Sequence, residues 1–97
     1  MIYLDHAATS LPKPPAVRRA VETALLECGN PGRGAHKPAM AAARVLLEAR
    51  MAVAELFGVR DPARVVFTPN ATMALNIAIA GIEGHVVTTA AEHNSVL

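Results

Sequence analysis

Two short polar stretches hold the residue types that do chemistry. Asn70-Ala71-Thr72 follows a β-branched run, Val65-Val66-Phe67, and precedes small and apolar residues from Met73 to Ala80. Asn and Thr are N-cap residues, and the first N–H groups of a helix point outward from its positive end. A helix start of this kind, with the Thr72 hydroxyl beside it, is a cradle for an anion such as a phosphate. The plainer alternative is capping with no ligand. Neither GxGxxG nor GxxxxGK[ST] occurs, so dinucleotide and P-loop binding have no support. Glu92-His93 is the second stretch, directly after the apolar run His85 to Thr89. His93 can stack on a flat ring or move a proton; the alternative is a loop histidine without a task. If both runs are strands, both polar stretches lie at carboxyl ends, where open α/β sheets bind ligands.

The remaining reactive groups are less organised. His6, His36, His85 and His93 lack metal-ligand spacing, and with one cysteine there is no zinc pattern. Cys28 falls on the apolar stripe of a helix and reads as a small core residue rather than a nucleophile. The loop Asn30 to Pro38, NPGRGAHKP, gathers Arg33, His36 and Lys37 between glycines and prolines. It is either a binding loop or an ordinary helix–helix connector.

The elements that must position these residues follow from periodicity. Ile2-Tyr3-Leu4 is a short strand candidate, followed by a proline-punctuated link. Pro15 suits a helix start, and Val17, Val21, Ala24, Leu25 and Cys28 recur at helical spacing until Gly29 and Asn30 stop them. Ala39 to Phe57 is the longest helix, with Met40, Ala43, Leu47, Met51 and Ala54 on one stripe and Arg44 and Glu48 paired on the other side. Arg50 falls inside the apolar arc, so it is either paired or snorkels at the core edge. Gly58 ends that helix and Asp61-Pro62 turns the chain. Residues 64–68 and 85–89 are expected to be strands with a helix over 72–80 between them. Both strands are almost wholly apolar, as in a sheet covered on two faces. The order predicts an α/β fold.

Composition bounds the rest. Ninety-seven residues allow one small domain, yet 53% are hydrophobic and only 18% charged. So small a domain has difficulty covering that much apolar surface. The chain is therefore expected to self-associate or to be the start of something longer. A net charge of +1 with no basic cluster gives nucleic-acid binding no support. The start, MIYLDHAAT, has neither a basic nor an apolar leader region, so no signal peptide is expected, and no apolar run in the sequence reaches membrane length. A single cysteine makes a reducing cytoplasm the default location.

Five pieces together carry a resemblance. YLDHAATS, NPGRGAH, EAR within the long helix, VVFTPNATMALN and TTAAEHNSVL resemble, in that order, the N-terminal part of the class V aminotransferase family. Within it the chain is most similar to the cysteine desulfurase and selenocysteine lyase group. The resemblance implies the N-terminal portion of a pyridoxal 5'-phosphate (PLP)-dependent transferase fold type I large domain, helices on a mostly parallel sheet, incomplete in this chain. Residues 1–38 would be the N-terminal segment, first helix and active-site loop, and residues 39–97 the start of the PLP-binding domain. It implies that Asn70, Ala71 and Thr72 stand at the PLP phosphate and that His93 stacks on the ring and helps move protons. It further implies that Ala7, Ala8 and Thr9 line the substrate pocket, with Arg33 and His36 near the active site and a dimer interface.

The implied reaction takes L-cysteine to L-alanine and leaves a persulfide on the enzyme, in a cytoplasmic homodimer without nucleic-acid or membrane partners. The family's covalent lysine, the aspartate at the pyridine nitrogen and the desulfurase cysteine lie beyond position 97. Lys13, Lys37 and Cys28 match none of these motifs. The 97 residues are thus expected to be an N-terminal fragment, inactive alone. The alternatives are another class V activity (selenocysteine lyase, transaminase or epimerase) or a non-catalytic, self-associating α/β module. In the fold type I sheet the strands matching 64–68 and 85–89 are separated by others that this chain lacks, so its sheet edges would need partners.

Overall fold

Three helices and one 3-10 turn organise the chain in a computed structural model that describes residues 2–96. Helix α1 spans Pro15–Glu27, α2 spans Lys37–Leu56 and α3 spans Ala71–Gly81, with the 3-10 turn at Pro62–Arg64. Pro15 opens α1 with its fixed φ, and the Cys28 N–H closes it on the Ala24 carbonyl. The helix ends one residue short of expectation, and Gly29 is not the left-handed cap that the sequence suggests. Gly29 instead meets the start of α2. Its N–H donates to the Pro38 carbonyl at 2.9 Å, and a Cβ there would lie 3.1 Å from Pro38 Cβ. The glycine permits a close crossing rather than a turn.

Helix α2 begins two residues before the periodicity indicates, because Pro38 fits within the first turn and His36 caps it. Its far end meets the expectation at Gly58. There φ is +65°, the Gly58 N–H donates to the Glu55 carbonyl at 3.1 Å, and the Val59 N–H donates to that of Ala54 at 2.8 Å. This is a Schellman closure, and a glycine in the left-handed region makes it inexpensive. Asp61 Oδ1 then accepts the Ala63 N–H at 2.9 Å and starts the 3-10 turn, which packs on α2.

The expected strands are the main correction. None of the described residues at 2–4, 64–68 or 85–89 belongs to a β-ladder, and residues 62–64 are helical. Val87 is 94% exposed and Ile2 88%. An extended run satisfies its N–H and C=O groups only against another strand, and no neighbouring strand is present among the described residues. The α/β architecture is therefore not formed by contacts among the described residues. The observed packing is helical: α1 on α2, and α2 on the 3-10 turn.

The core is correspondingly small. Ala39, Ala42 and Ala54, all on α2, are the buried hydrophobic residues. Met40, Leu47 and Met51 of the expected α2 stripe are exposed, because α1 and the 3-10 turn cover only the alanine line. Cys28 is half-buried rather than in a core. The Cα radius of gyration is 17.2 Å, against about 13 Å for a compact domain of this length. The accessible surface is 8711 Å², against roughly 5,300 Å² for a compact protein of this mass. Arg50 shows the same incompleteness. Its Nε is buried without a hydrogen-bond partner among the described residues, so of its two expected states, paired or snorkelling, the pairing of Nε is not met there.

Candidate functional site

The start of α3 is built by Asn70. Its backbone is extended, with φ −160° and ψ 167°, and its Oδ1 accepts the Met73 N–H at 2.9 Å. The Asn70 carbonyl accepts twice more, from the Ala74 N–H at 3.3 Å and from Thr68 Oγ1 at 2.8 Å. The third and fourth N–H groups of the helix are thus satisfied locally. Those of Ala71 and Thr72 have no recorded acceptor among the described residues, and neither has the Thr72 hydroxyl. Two N–H groups at the positive end of a helix, beside a hydroxyl, form the donor set that an oxyanion needs. An open groove of about 640 Å³ runs from this point along α3, lined by Asn70, Thr72, Met73, Asn76, Ile77 and Ala80. Its polar donors are at the capped end and its apolar side chains lie farther along.

His93 sits on a separate turn joined to α3 by one residue. The Val96 N–H donates to the His93 carbonyl at 2.8 Å, closing a turn over 93–96. Within it the Ser95 N–H donates to His93 Nδ1 at 3.1 Å, and Ser95 Oγ lies 2.9 Å from the same nitrogen. Asn76, one turn after Thr72, donates from Nδ2 to the Thr72 carbonyl at 2.8 Å and to the Ser95 carbonyl at 3.4 Å. The phosphate-type cradle and the histidine turn are therefore anchored on the same helix. Glu92 accepts from Thr89 Oγ1 at 3.0 Å.

The other candidate residues stand apart. Ala7, Ala8 and Thr9 belong to a tight loop in which the Ala8 and Thr9 N–H groups both donate to the Asp5 carbonyl, at 3.2 and 3.3 Å. The Tyr3 hydroxyl reaches the Thr9 carbonyl at 2.8 Å, Lys13 Nζ reaches Thr9 Oγ1 at 2.6 Å, and Lys13 also donates to the Ser10 carbonyl. The segment is held in shape, but by its own neighbours. His36 spends Nδ1 on the α2 cap, accepting the Ala39 N–H at 3.3 Å. Its ring lies over Gly34, where a Cβ would come within 2.8 Å of His36 Cδ2. Arg33 lies in the same exposed loop. Helix α3 packs on neither α1 nor α2, and no hydrogen bond among the described residues joins the 7–9 or 33–36 loops to the α3 cradle. Among the described residues, no group of three or more His, Cys, Asp or Glu side chains is placed to hold a metal.

Sequence reasoning passed over Asn76 and Ser95, and gave Tyr3 and Lys13 no part in holding the 7–9 loop. Asn76 had a legible signal, since it is a polar residue in an otherwise apolar helix, four after Thr72. Such an amide needs a nearby carbonyl. Ser95 had none, because its role depends on how the turn closes.

Comparison with known proteins adds an independent finding. Residues 2–97 match the family model described as aminotransferase class-V. The chain is 35% identical over 105 residues to a cysteine desulfurase IscS of Pectobacterium carotovorum, covering 99% of this chain and 26% of that protein. It is 37% identical over 105 residues to a cysteine desulfurase IscS of Tolumonas auensis, with the same coverage. It is 38% identical over 104 residues to a cysteine desulfurase of a Frankia species, covering 100% of this chain and 24% of that protein. The chain thus spans about a quarter of the length of the curated relatives it matches. No solved structure matches it.

Proposed function

The chain belongs to the class-V aminotransferase family, and on that footing we propose that it provides the phosphate cradle and ring cover of a PLP-dependent cysteine desulfurase-type site. The observation that carries this reading is the pair of unassigned N–H groups of Ala71 and Thr72, with the Thr72 hydroxyl, at the capped start of α3. Asn70 holds that start in shape, and Ala71 and Thr72 donate to phosphate oxygens. His93 covers the ring and exchanges protons with substrate or cofactor. Ala7, Ala8 and Thr9 line the substrate pocket, with Arg33 and His36 at its edge. PLP supplies an electron sink for charge that develops on the substrate α-carbon.

The whole reaction so read converts L-cysteine to L-alanine and transfers sulfur to an enzyme cysteine, with the cofactor held by a lysine. Neither Lys13 nor Lys37 lies in a matching motif, and Cys28 is not the sulfur acceptor. Those groups come from residues other than these 97. The same applies to the sheet: residues 64–68 and 85–89 become strands of a fold type I α/β domain when further strands flank them. The proposed setting is a cytoplasmic homodimer.

A titration with PLP, followed by cofactor absorbance and fluorescence, tests the reading. PLP binds in preference to pyridoxal, which lacks the phosphate, and Thr72→Val weakens PLP about tenfold through loss of a charge-assisted hydrogen bond. Equal binding of PLP and pyridoxal, or an unaltered Thr72→Val variant, overturns it.

A second reading has its own observation. Helix α1 exposes Val17, Val21, Leu25 and Leu26 along a groove of about 990 Å³. An uncovered apolar face of that kind also suits a self-associating module without catalysis. Light scattering with and without PLP separates the two. A stable oligomer that ignores PLP favours the module.

A further inference from the structure

The turn that carries His93 also determines which of its ring nitrogens holds the proton. A backbone N–H can only donate, so the Ser95 N–H at 3.1 Å requires a lone pair on His93 Nδ1. With Nδ1 an acceptor, the Ser95 hydroxyl at 2.9 Å donates to it as well. The neutral imidazole is then protonated at Nε2. The ring nitrogen stands where a serine, threonine or aspartate oxygen stands in a side-chain-closed turn, accepting from the residue two positions on. Asn76 completes the arrangement, since its contact with the Ser95 carbonyl hangs this turn from α3.

We propose that Ser95 is a positioning residue that holds His93 in the Nε2–H tautomer, so that His93 presents a hydrogen-bond donor, not an acceptor, to what it covers. This rests on the reading of His93 as the ring-covering residue of a PLP site. The reason for a built tautomer is chemical. A histidine over an electron-poor ring whose substituents include oxygen acceptors is useful as a fixed donor. A ring free to flip tautomers would present a lone pair to those acceptors part of the time. In the proton exchange assigned to His93, a proton is taken up at Nδ1: the Ser95 N–H contact is lost, and the Ser95 hydroxyl, which can accept as well as donate, turns to accept.

The test uses the 97-residue chain with 15N-labelled histidine, under conditions where imidazole is neutral. Ring-nitrogen shifts report the tautomer, and His93→Asn identifies which of the four histidine signals belongs to position 93. The expected spectrum of the unaltered chain shows His93 as Nε2–H alone. The hydroxyl can serve either tautomer, so the selecting group is the Ser95 N–H. Ser95→Pro removes that donor and raises the Nδ1–H fraction about fivefold, the equivalent of one ordinary hydrogen bond. Ser95→Ala keeps the donor and retains the original spectrum, which a general loss of folding cannot do. A mixed-tautomer His93 in the unaltered chain or in Ser95→Ala, or a Ser95→Pro spectrum without change, overturns the proposal. Because PLP is absent from this measurement, its outcome separates from that of the cofactor titration. A locked tautomer in a chain that does not bind PLP leaves the Ser95 assignment standing and removes only its proposed use.

Discussion

The α1–α2 half of the chain and the α3 half respond differently to the same shortage of core. Residues 15–64 contain the three buried alanines and the packed contacts, and their helix ends are closed by His36, Gly58 and Asp61. In the second half α3 is well capped, yet no residue of that helix is buried, and the runs flanking it pair with nothing among the described residues. A helix satisfies its own backbone and can stand with one face bare. A strand cannot, since every backbone group it offers needs a neighbour. The first half is thus close to self-sufficient, and the second half leaves the runs that flank its helix without partners among the described residues.

Substitutions break or sharpen that contrast. The largest effect is expected where packing is tightest. Ala54→Leu on α2 overfills a buried site and costs about 1–3 kcal/mol, whereas Ala78→Leu on the exposed surface of α3 costs nothing measurable. Thermal unfolding followed by circular dichroism distinguishes the two; equal effects would mean that α3 is packed after all. Next is Asn70→Ala, which removes the α3 cap at a cost of about 1 kcal/mol. Amide exchange should quicken in residues 71–81 and stay unchanged in α2. Smaller and of opposite sign is Gly81→Ala. That glycine is helical with open space around it, so added helix propensity stabilises by about 0.5–1 kcal/mol, seen as a rise in helical signal. The smallest is Val87→Lys, which changes stability by less than about 0.5 kcal/mol. A loss above 1 kcal/mol in the same denaturation experiment would reveal a sheet partner for residues 85–89.

Local signals were legible and non-local ones were not. Pro15, Gly58 and Asn70 announce helix ends because each acts within a few residues of itself. Gly29 was read as the same kind of signal and is not, since its reason is the approach of Pro38 from nine residues away. The apolar runs at 64–68 and 85–89 look like strands because their composition suits a sheet that is covered on both faces. Whether they become strands depends on neighbours that composition cannot provide. The same holds for Arg50, whose place on the α2 stripe demands a partner that these contacts do not include. In the candidate site, the Asn70 cap and the helix start at Ala71 were readable from residue type and order. The Asn76–Ser95–His93 connection was not, because it joins residues nineteen apart through a backbone carbonyl.

By itself, the order of residues determined the family, the three helices and the residue types at the start of α3, all properties of short windows or of motifs in series. Only the tertiary structure decided that Ser95 hydrogen-bonds His93, that Gly29 serves a crossing and that the apolar runs are unpaired among the described residues. The physical reason is the range of the forces concerned. Capping and helix formation are settled between residues a few positions apart, while sheet pairing, burial and the protonated nitrogen of a histidine depend on whichever groups the fold brings near.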